Sequence, residues 1–275
     1  MTGKHFIVLV LTFFSLHAFA FDLLNPTGGR AAGMGRSSVA LSDFWAIQNN
    51  PAGIANLSTM QVGVFYENRF LMKELGYKSA AWAMPINWGV IGVSASQFGY
   101  SDYNENKIGI TYSREFSPKL RLGMQLDYLL LNYADVYSNR QTFTFELGLQ
   151  SQITEKVCVG AYVFNPARVD INTSDDYNMP IVMRIGACYS ITKDFIGQFE
   201  IENNTDYGFS LRLGTEYRLI DNLNLRAGVQ TNPGIFTFGL GYEVSFLTID
   251  LSAQMHEIYG SSLQAGLIFK INSSK

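Results

Sequence analysis

Few side chains in this sequence could carry chemistry, and their positions count against most reactions. There are three histidines, His5, His17 and His256, and two cysteines, Cys158 and Cys188. His5 and His17 fall in a stretch read below as a cleaved leader. One histidine and two cysteines are poor material for a zinc site or a nucleophile–histidine pair. A lipase-type triad would need a serine and an acid on the face of His256, so His256-Glu257 reads as part of a solvated loop. Asp170 to Asp176, with Asp175 and Asp176 adjacent, lacks the ligand order of an EF-hand and reads as a polar loop tip. Gly28-Gly29 and Gly33-x-Gly35 have neither the preceding strand nor the following Gly-Lys-Ser/Thr of a phosphate loop. No enzymatic activity, cofactor or metal is expected. Nor is nucleic acid, because 20 basic against 23 acidic residues give a net charge of −3 and no dense basic face.

What remains is a set of charges at regular spacing: Arg121, Asp127, Glu146, Arg184, Glu200, Arg212, Glu216, Arg226, Asp250 and Lys270. Each sits on the polar phase of a segment whose hydrophobic period is two. In Phe209-Ser210-Leu211-Arg212-Leu213-Gly214-Thr215-Glu216-Tyr217, the apolar residues and Thr215 take the odd positions, and Ser, Arg, Gly and Glu the even ones. Residues 143–149, 223–229, 247–253 and 263–267 repeat the pattern. Successive strand side chains point to opposite faces, so each such segment has one oily and one polar face.

About fourteen segments of this kind are predicted, near 59–68, 77–85, 87–98, 106–115, 119–131, 141–150, 156–165, 181–191, 194–203, 206–218, 222–231, 234–243, 245–255 and 261–271. The first three are ambiguous in phase. Longer connections, near 69–76, 99–105, 132–140, 166–180 and 256–260, alternate with tight ones through Pro85-Ile86, Ser117-Pro118, Thr192-Lys193 and Val244, except that those near Asn203-Asn204 and Asn232-Pro233 are short on the long side. Ten-residue strands with long loops at one rim and tight turns at the other are the pattern of transmembrane β-barrels. Tyr66, Trp82, Trp88, Tyr100, Tyr112, Tyr128, Tyr133, Tyr217 and Tyr242, near strand ends, suit either interfacial girdles or ordinary barrel packing.

Alternation alone does not say which face turns inward. A secreted or periplasmic soluble β-protein with a structural or binding role would hide the oily face. Against it, charged residues are only 16% of the chain, and the oily face persists on nearly every strand. Glycine also gathers on the polar face, at 109, 123, 148, 160, 186, 214, 228, 239, 241 and 266, where another piece of backbone must come close. The polar charges are therefore expected to line a lumen, as structural ion pairs or as a substrate path. Cys158 and Cys188 fall on the same phase. If the hairpin pairs 165 with 181 they stand opposite one another, which leaves a cross-strand disulfide and two lumen-facing thiols as alternatives.

Residues 1–20 read as a secretory leader: Lys4, then an apolar run from Phe6 to Leu16, then Ala18-Phe19-Ala20 as cleavage site. No later run of 18 apolar residues could cross a bilayer as a helix. Residues 21–58 do not alternate. They open with a Gly-rich loop, followed by a short helical stretch over Phe44-Trp45-Ala46-Ile47 capped by Ser42 or Asp43, then a turn at Asn49-Asn50-Pro51-Ala52-Gly53. A fourteen-stranded barrel has a bore too wide for wall side chains to fill, and this segment is placed inside as a plug.

Gly29-Arg30-Ala31-Ala32-Gly33-Met34-Gly35, Ser38-Val39-Ala40-Leu41-Ser42-Asp43 and Asn50-Pro51-Ala52-Gly53-Ile54-Ala55 resemble the N-terminus of the FadL-type outer-membrane barrels, most closely their PorV/PorQ branch. The resemblance implies fourteen strands and an N-terminal hatch ending in an Asn-Pro-Ala motif. It implies a hatch role for Gly28 through Ala55, including Gly28, Gly29, Gly33, Gly35, Asn50, Pro51 and Ala52. Fatty-acid members of the family pass hydrophobic ligands, whereas PorV-type members serve type IX protein secretion. The expected partners are therefore membrane lipid and either a small hydrophobic ligand or secretion-machinery proteins. The expected location is the outer membrane of a Gram-negative, Bacteroidetes-like bacterium. The chain divides into a leader (1–20), a hatch (21–58) and a barrel (59–275).

Overall fold

The computed structural model describes residues 22–133, 139–171 and 179–271. The leader lies outside them, as do Asp175 and Asp176. The period-two segments become fourteen strands: β1 (Met60–Asn68), β2 (Gly76–Ile86), β3 (Gly89–Gly99), β4 (Tyr103–Ser117), β5 (Leu120–Tyr133), β6 (Arg140–Gln152), β7 (Val157–Phe164), β8 (Val182–Ser190), β9 (Phe195–Asn204), β10 (Gly208–Ile220), β11 (Leu223–Gln230), β12 (Ile235–Val244), β13 (Leu247–His256) and β14 (Gly260–Ile271). Each pairs antiparallel with its neighbours. The sheet closes where β1 meets β14, from Met60 opposite Ile271 to Asn68 opposite Leu263. Closure gives every strand two neighbours, so the sheet has no free edge strand, as a sheet in lipid requires.

The oily faces point outward. Along β10, Phe209, Leu211, Leu213 and Tyr217 are exposed while Ser210, Arg212 and Gly214 are buried. Ile108, Ile110, Leu126, Phe238, Leu240 and Leu251 are likewise exposed on other strands. This inverts the burial of a water-soluble sandwich and suits an apolar solvent outside.

Four expectations need correction. The tight turn after β2 lies at residues 87–88, and Pro85 and Ile86 remain in the strand opposite Val90 and Gly89. The Gly-rich loop contains a helical turn, α1 (Gly29–Gly33), because Arg30, Ala31 and Ala32 accept helical geometry between the glycines. The second helix, α2 (Ala46–Asn49), starts later than expected. Its N-cap is Trp45, without a side-chain cap, in place of Ser42 or Asp43, although Asp43 Oδ1 accepts from Ala46 N at 3.2 Å just ahead of it. The turn at Asn50-Pro51 opens a 3₁₀ stretch over Pro51–Asn56, with Asn50 as its cap.

The phase ambiguity of β1–β3 has a physical cause. Their inward residues include Phe65, Tyr77, Ala81, Ala83, Val90 and Phe98 beside Gln61, Glu67, Ser79, Ser94 and Ser96, all buried, so the inner face is mixed and contrasts weakly with the outer one. On this side the lumen is filled by apolar side chains of the N-terminal segment. Phe44 packs edge-on against Trp45 with centroids 5.1 Å apart, Trp45 against Phe65 at 6.0 Å, and Phe65 against Tyr77 at 6.1 Å.

β7 is short, and β6 runs beyond their last pair, Glu146 with Phe164, as far as Arg140. The chain after β7 folds inward across this gap. Asn165 is fully buried; its Oδ1 accepts from Thr144 Oγ1 and Val169 N, each at 2.9 Å, and its Nδ2 donates to Met179 O at 3.2 Å. Ile171 and Met179 then join Leu129, Leu131, Phe164 and Val182 in one apolar cluster.

Candidate functional site

The described part of the N-terminal segment lies within the barrel, and the wall glycines are what let it in. α1 rests on β11–β13; a Cβ added to Gly33 would lie 2.9 Å from Gly239 Cα. Gly35 has φ +64°, and any side chain there would strike the carbonyls of Leu213 and Val229. Its N–H donates to Thr237 Oγ1 at 2.7 Å, and Thr237 Oγ1 donates to Gly33 O at 3.0 Å. Gly148 and Gly123 face Asn50, Pro51 and Ala52, whose atoms occupy the space a wall Cβ would need. Asn50 Nδ2 donates to Val39 O at 2.6 Å and reaches Leu149 O and Ala161 O at 3.2 and 3.3 Å, while its Oδ1 accepts from Ala52 N. Gly28 (φ +102°) and Gly29 abut Trp45 and Asp250. Two wall glycines serve differently: the space beside Gly109 is taken by Gln125 and that beside Gly241 by Arg226.

The charged residues of the polar faces do turn inward, and they gather in groups. Towards the tight-turn rim, Arg30 Nη2 contacts Glu216 Oε1 at 2.7 Å, and Arg30 Nη1 contacts Asp43 Oδ2 at 3.3 Å. Arg226 joins Glu216 at 2.7 Å to Asp250 at 2.5 Å. Burial opposes the Arg30 charge, but Glu216 and Asp43 outweigh it and hold its pKa above the ordinary value. Nearby, Arg121 Nη1 donates to Ser42 Oγ at 2.5 Å and Nη2 to Cys158 Sγ at 3.5 Å. Cys158 and Cys188 stand opposite each other as expected, and the structure holds them as free thiols. Lys107 meets Glu146 at 2.7 Å, and Gln125 Nε2 donates to Asp127 Oδ1 at 2.8 Å.

Towards the other rim, Glu200 Oε2 accepts from both Ser38 N and Val39 N at 2.7 Å, and its Oε1 lies 2.8 Å from Arg212 Nη1. Glu202 is held by Arg184 at 2.6 Å and by Arg212 at 2.7 Å. Arg184 Nη2 also donates to Leu24 O at 2.5 Å. Arg36 reaches Glu67 at 2.5 Å and Gln254 Oε1 at 2.9 Å. Burial pulls Arg36 below the usual arginine value; Glu67 offsets this in part, and Arg69 and Arg212 add to it. Lys270 belongs to none of these groups, since it pairs with Glu243 at the tight-turn rim.

Sequence reading did not single out Arg30, Arg36, Glu67, Lys107 or Glu202. For the strand residues the signal was present, since Lys107 lies two positions from Gly109 and Glu202 two from Glu200, on faces already taken as polar. Arg30 and Arg36 lie in the segment without alternation, where parity says nothing.

Above the N-terminal segment, at the rim of the longer connections, the lumen opens into a vestibule of about 280 Å³. Its floor is Arg36, Arg69, Arg212, Glu202, Gln230 and Gln254, and its sides include Leu24, Phe70, Val182, Tyr207, Ile235, His256 and Tyr259. His256 Nδ1 accepts from Ile258 N at 3.0 Å, ordering the turn that brings Tyr259 over Phe70 at 5.3 Å. No expectation from the sequence located this cavity. It is assembled from strands far apart in the chain.

No protein-family model matches the chain, and no curated protein matches it. Solved structures resemble it closely in fold. The P. putida toluene transporter TodX superposes with a TM-score of 0.70 at 13% identity, covering 92% of this chain and 100% of that one. The Ralstonia pickettii toluene transporter TbuX gives 0.66 at 13% identity, covering 91% and 98%. A Pseudomonas aeruginosa FadL homologue gives 0.61 at 12%, covering 89% and 97%. The chain thus has the fold of these barrels, a closed transmembrane sheet of fourteen antiparallel strands.

Proposed function

We propose that this chain is an outer-membrane channel through which small hydrophobic molecules enter a Gram-negative cell without energy input, and that it performs no catalysis. The observation that carries the reading is the inverted burial. An oily exterior asks for lipid, and a polar interior occupied by residues 22–56 leaves a small vestibule lined in part by apolar and aromatic groups. Two structural neighbours are toluene transporters and another is a FadL homologue, which supports the same reading. On it, residues 1–20 direct export and are removed, and residues 21–58 are the hatch that keeps the bore shut. The alternative of an adaptor for type IX-like protein export in a Bacteroidetes-like bacterium rests on the short resemblance around Gly28–Ala55, with no other observation in its favour.

Deleting residues 25–55 tests the hatch. In liposomes the truncated barrel is expected to raise the leakage of small solutes clearly above that of the full chain. Unchanged leakage from a barrel that still assembles would contradict a hatch-gated path.

A further inference from the structure

The vestibule floor has a feature that a path for neutral hydrocarbons does not need. Arg36 and Arg212 both line it, and their side chains are 4% and 1% exposed. Arg36 Nη1 and Arg212 Nε are buried without a hydrogen-bond partner. The Arg212 side chain reaches the backbone of Arg36, its Nη1 coming within 3.5 Å of the Arg36 carbonyl oxygen. Buried donors on a charged group are costly when left unmade, and an anionic acceptor satisfies them best. The neighbouring carboxylates are committed elsewhere: Glu67 accepts from Arg36 Nη2, and Glu202 bridges Arg184 and Arg212. Gln254 Oε1 is taken by Arg36 Nε. Gln230 Oε1, also without a partner, accepts rather than donates and suits a water or a ring hydroxyl.

The sides of the cavity set the rest of the ligand. Phe70 and Tyr259 stand edge to face at 5.3 Å, and His256 lies against both, at 5.6 Å from Phe70 and 4.7 Å from Tyr259. Aromatic rings favour such contacts with another ring. At about 280 Å³ the space falls just below the roughly 300–1,000 Å³ of pockets for drug-sized ligands. A single ring fits it, and a long acyl chain does not.

We infer that the vestibule is a binding site for small aromatic carboxylates, with the carboxylate on Arg36 Nη1 and Arg212 Nε and the ring beside Phe70 and Tyr259. This rests on the reading of the vestibule as a channel entrance and adds the charge of the molecule admitted there.

The test is calorimetric titration of the full-length barrel in detergent with benzoate and with benzamide, which has nearly the same shape and no charge. Benzoate is expected to bind at least tenfold tighter, and acetate to compete with it. Arg36→Gln is expected to reduce the preference for benzoate over benzamide to less than about twofold. Should that variant fail to assemble, acetate competition on the unaltered protein still decides. Equal affinity for the two ligands, or no competition by acetate, overturns the anion site and leaves the channel reading intact. Binding of neither also overturns it. The channel reading is judged separately by the leakage of the 25–55 deletion.

Discussion

Arg212 faces two carboxylates, Glu200 at 2.8 Å and Glu202 at 2.7 Å, with all three side chains largely or wholly shielded. Removing one partner of a buried pair costs about 3–5 kcal/mol, because the other charge is left without compensation. Arg212→Leu is expected to lose stability of that order in urea unfolding of the folded barrel, and Glu202→Gln added to it is expected to recover part of the loss. Arg218 and Asp194 provide the contrast: they are about half exposed and 3.8 Å apart, and such a pair contributes about 0–1 kcal/mol. An Arg212→Leu barrel no less stable than Arg218→Leu would show that the lumen charges do not act as a buried network.

At the scale of elements, the contact between the N-terminal segment and the wall depends on small residues meeting small residues. Gly148 admits Asn50, and a side chain there must displace it. Gly148→Val is expected to weaken the docking of residues 46–56 by roughly 1–3 kcal/mol, the usual cost of overpacking, while the strands stay paired. Hydrogen exchange would show faster exchange of the 46–56 amides with unchanged protection in β5 and β6; no change at 46–56 would contradict this docking. The strands were legible in the sequence because a period of two survives wherever lipid and lumen face opposite sides of one ribbon. β10, with Phe209 to Tyr217, is the clearest case. β1–β3 were not legible in phase, since their inner face mixes apolar residues such as Phe65 and Tyr77, packed towards Trp45 and Phe44, with polar ones such as Glu67 and Ser79. α1 was missed because its first and last residues are glycines, which weigh against helix on propensity alone, and tertiary docking on β11–β13 decides instead. The vestibule was beyond reach, because Arg36, Arg212 and Tyr259 meet only after the sheet has closed.

For the whole molecule, the solvent that the outward faces meet decides the architecture. Leu213 is half exposed on the outer wall, while its neighbours Arg212 and Gly214 turn inward. If lipid surrounds it, Leu213→Arg costs about 2–4 kcal/mol when the site lies at the bilayer midplane. In a water-soluble protein the same change at an exposed position would be nearly neutral. Unfolding in lipid vesicles separates the two cases.

The most direct measurement places single spin labels at successive positions from 209 to 217 in the barrel reconstituted into vesicles, and reads relaxation by oxygen, which concentrates in lipid, against a water-soluble nickel chelate. The expected result is an alternation, with oxygen dominating at the odd positions and neither reagent having free access at the even ones. Odd positions relaxed mainly by the nickel chelate, or the processed chain remaining in buffer as a compact monomer, would contradict the account.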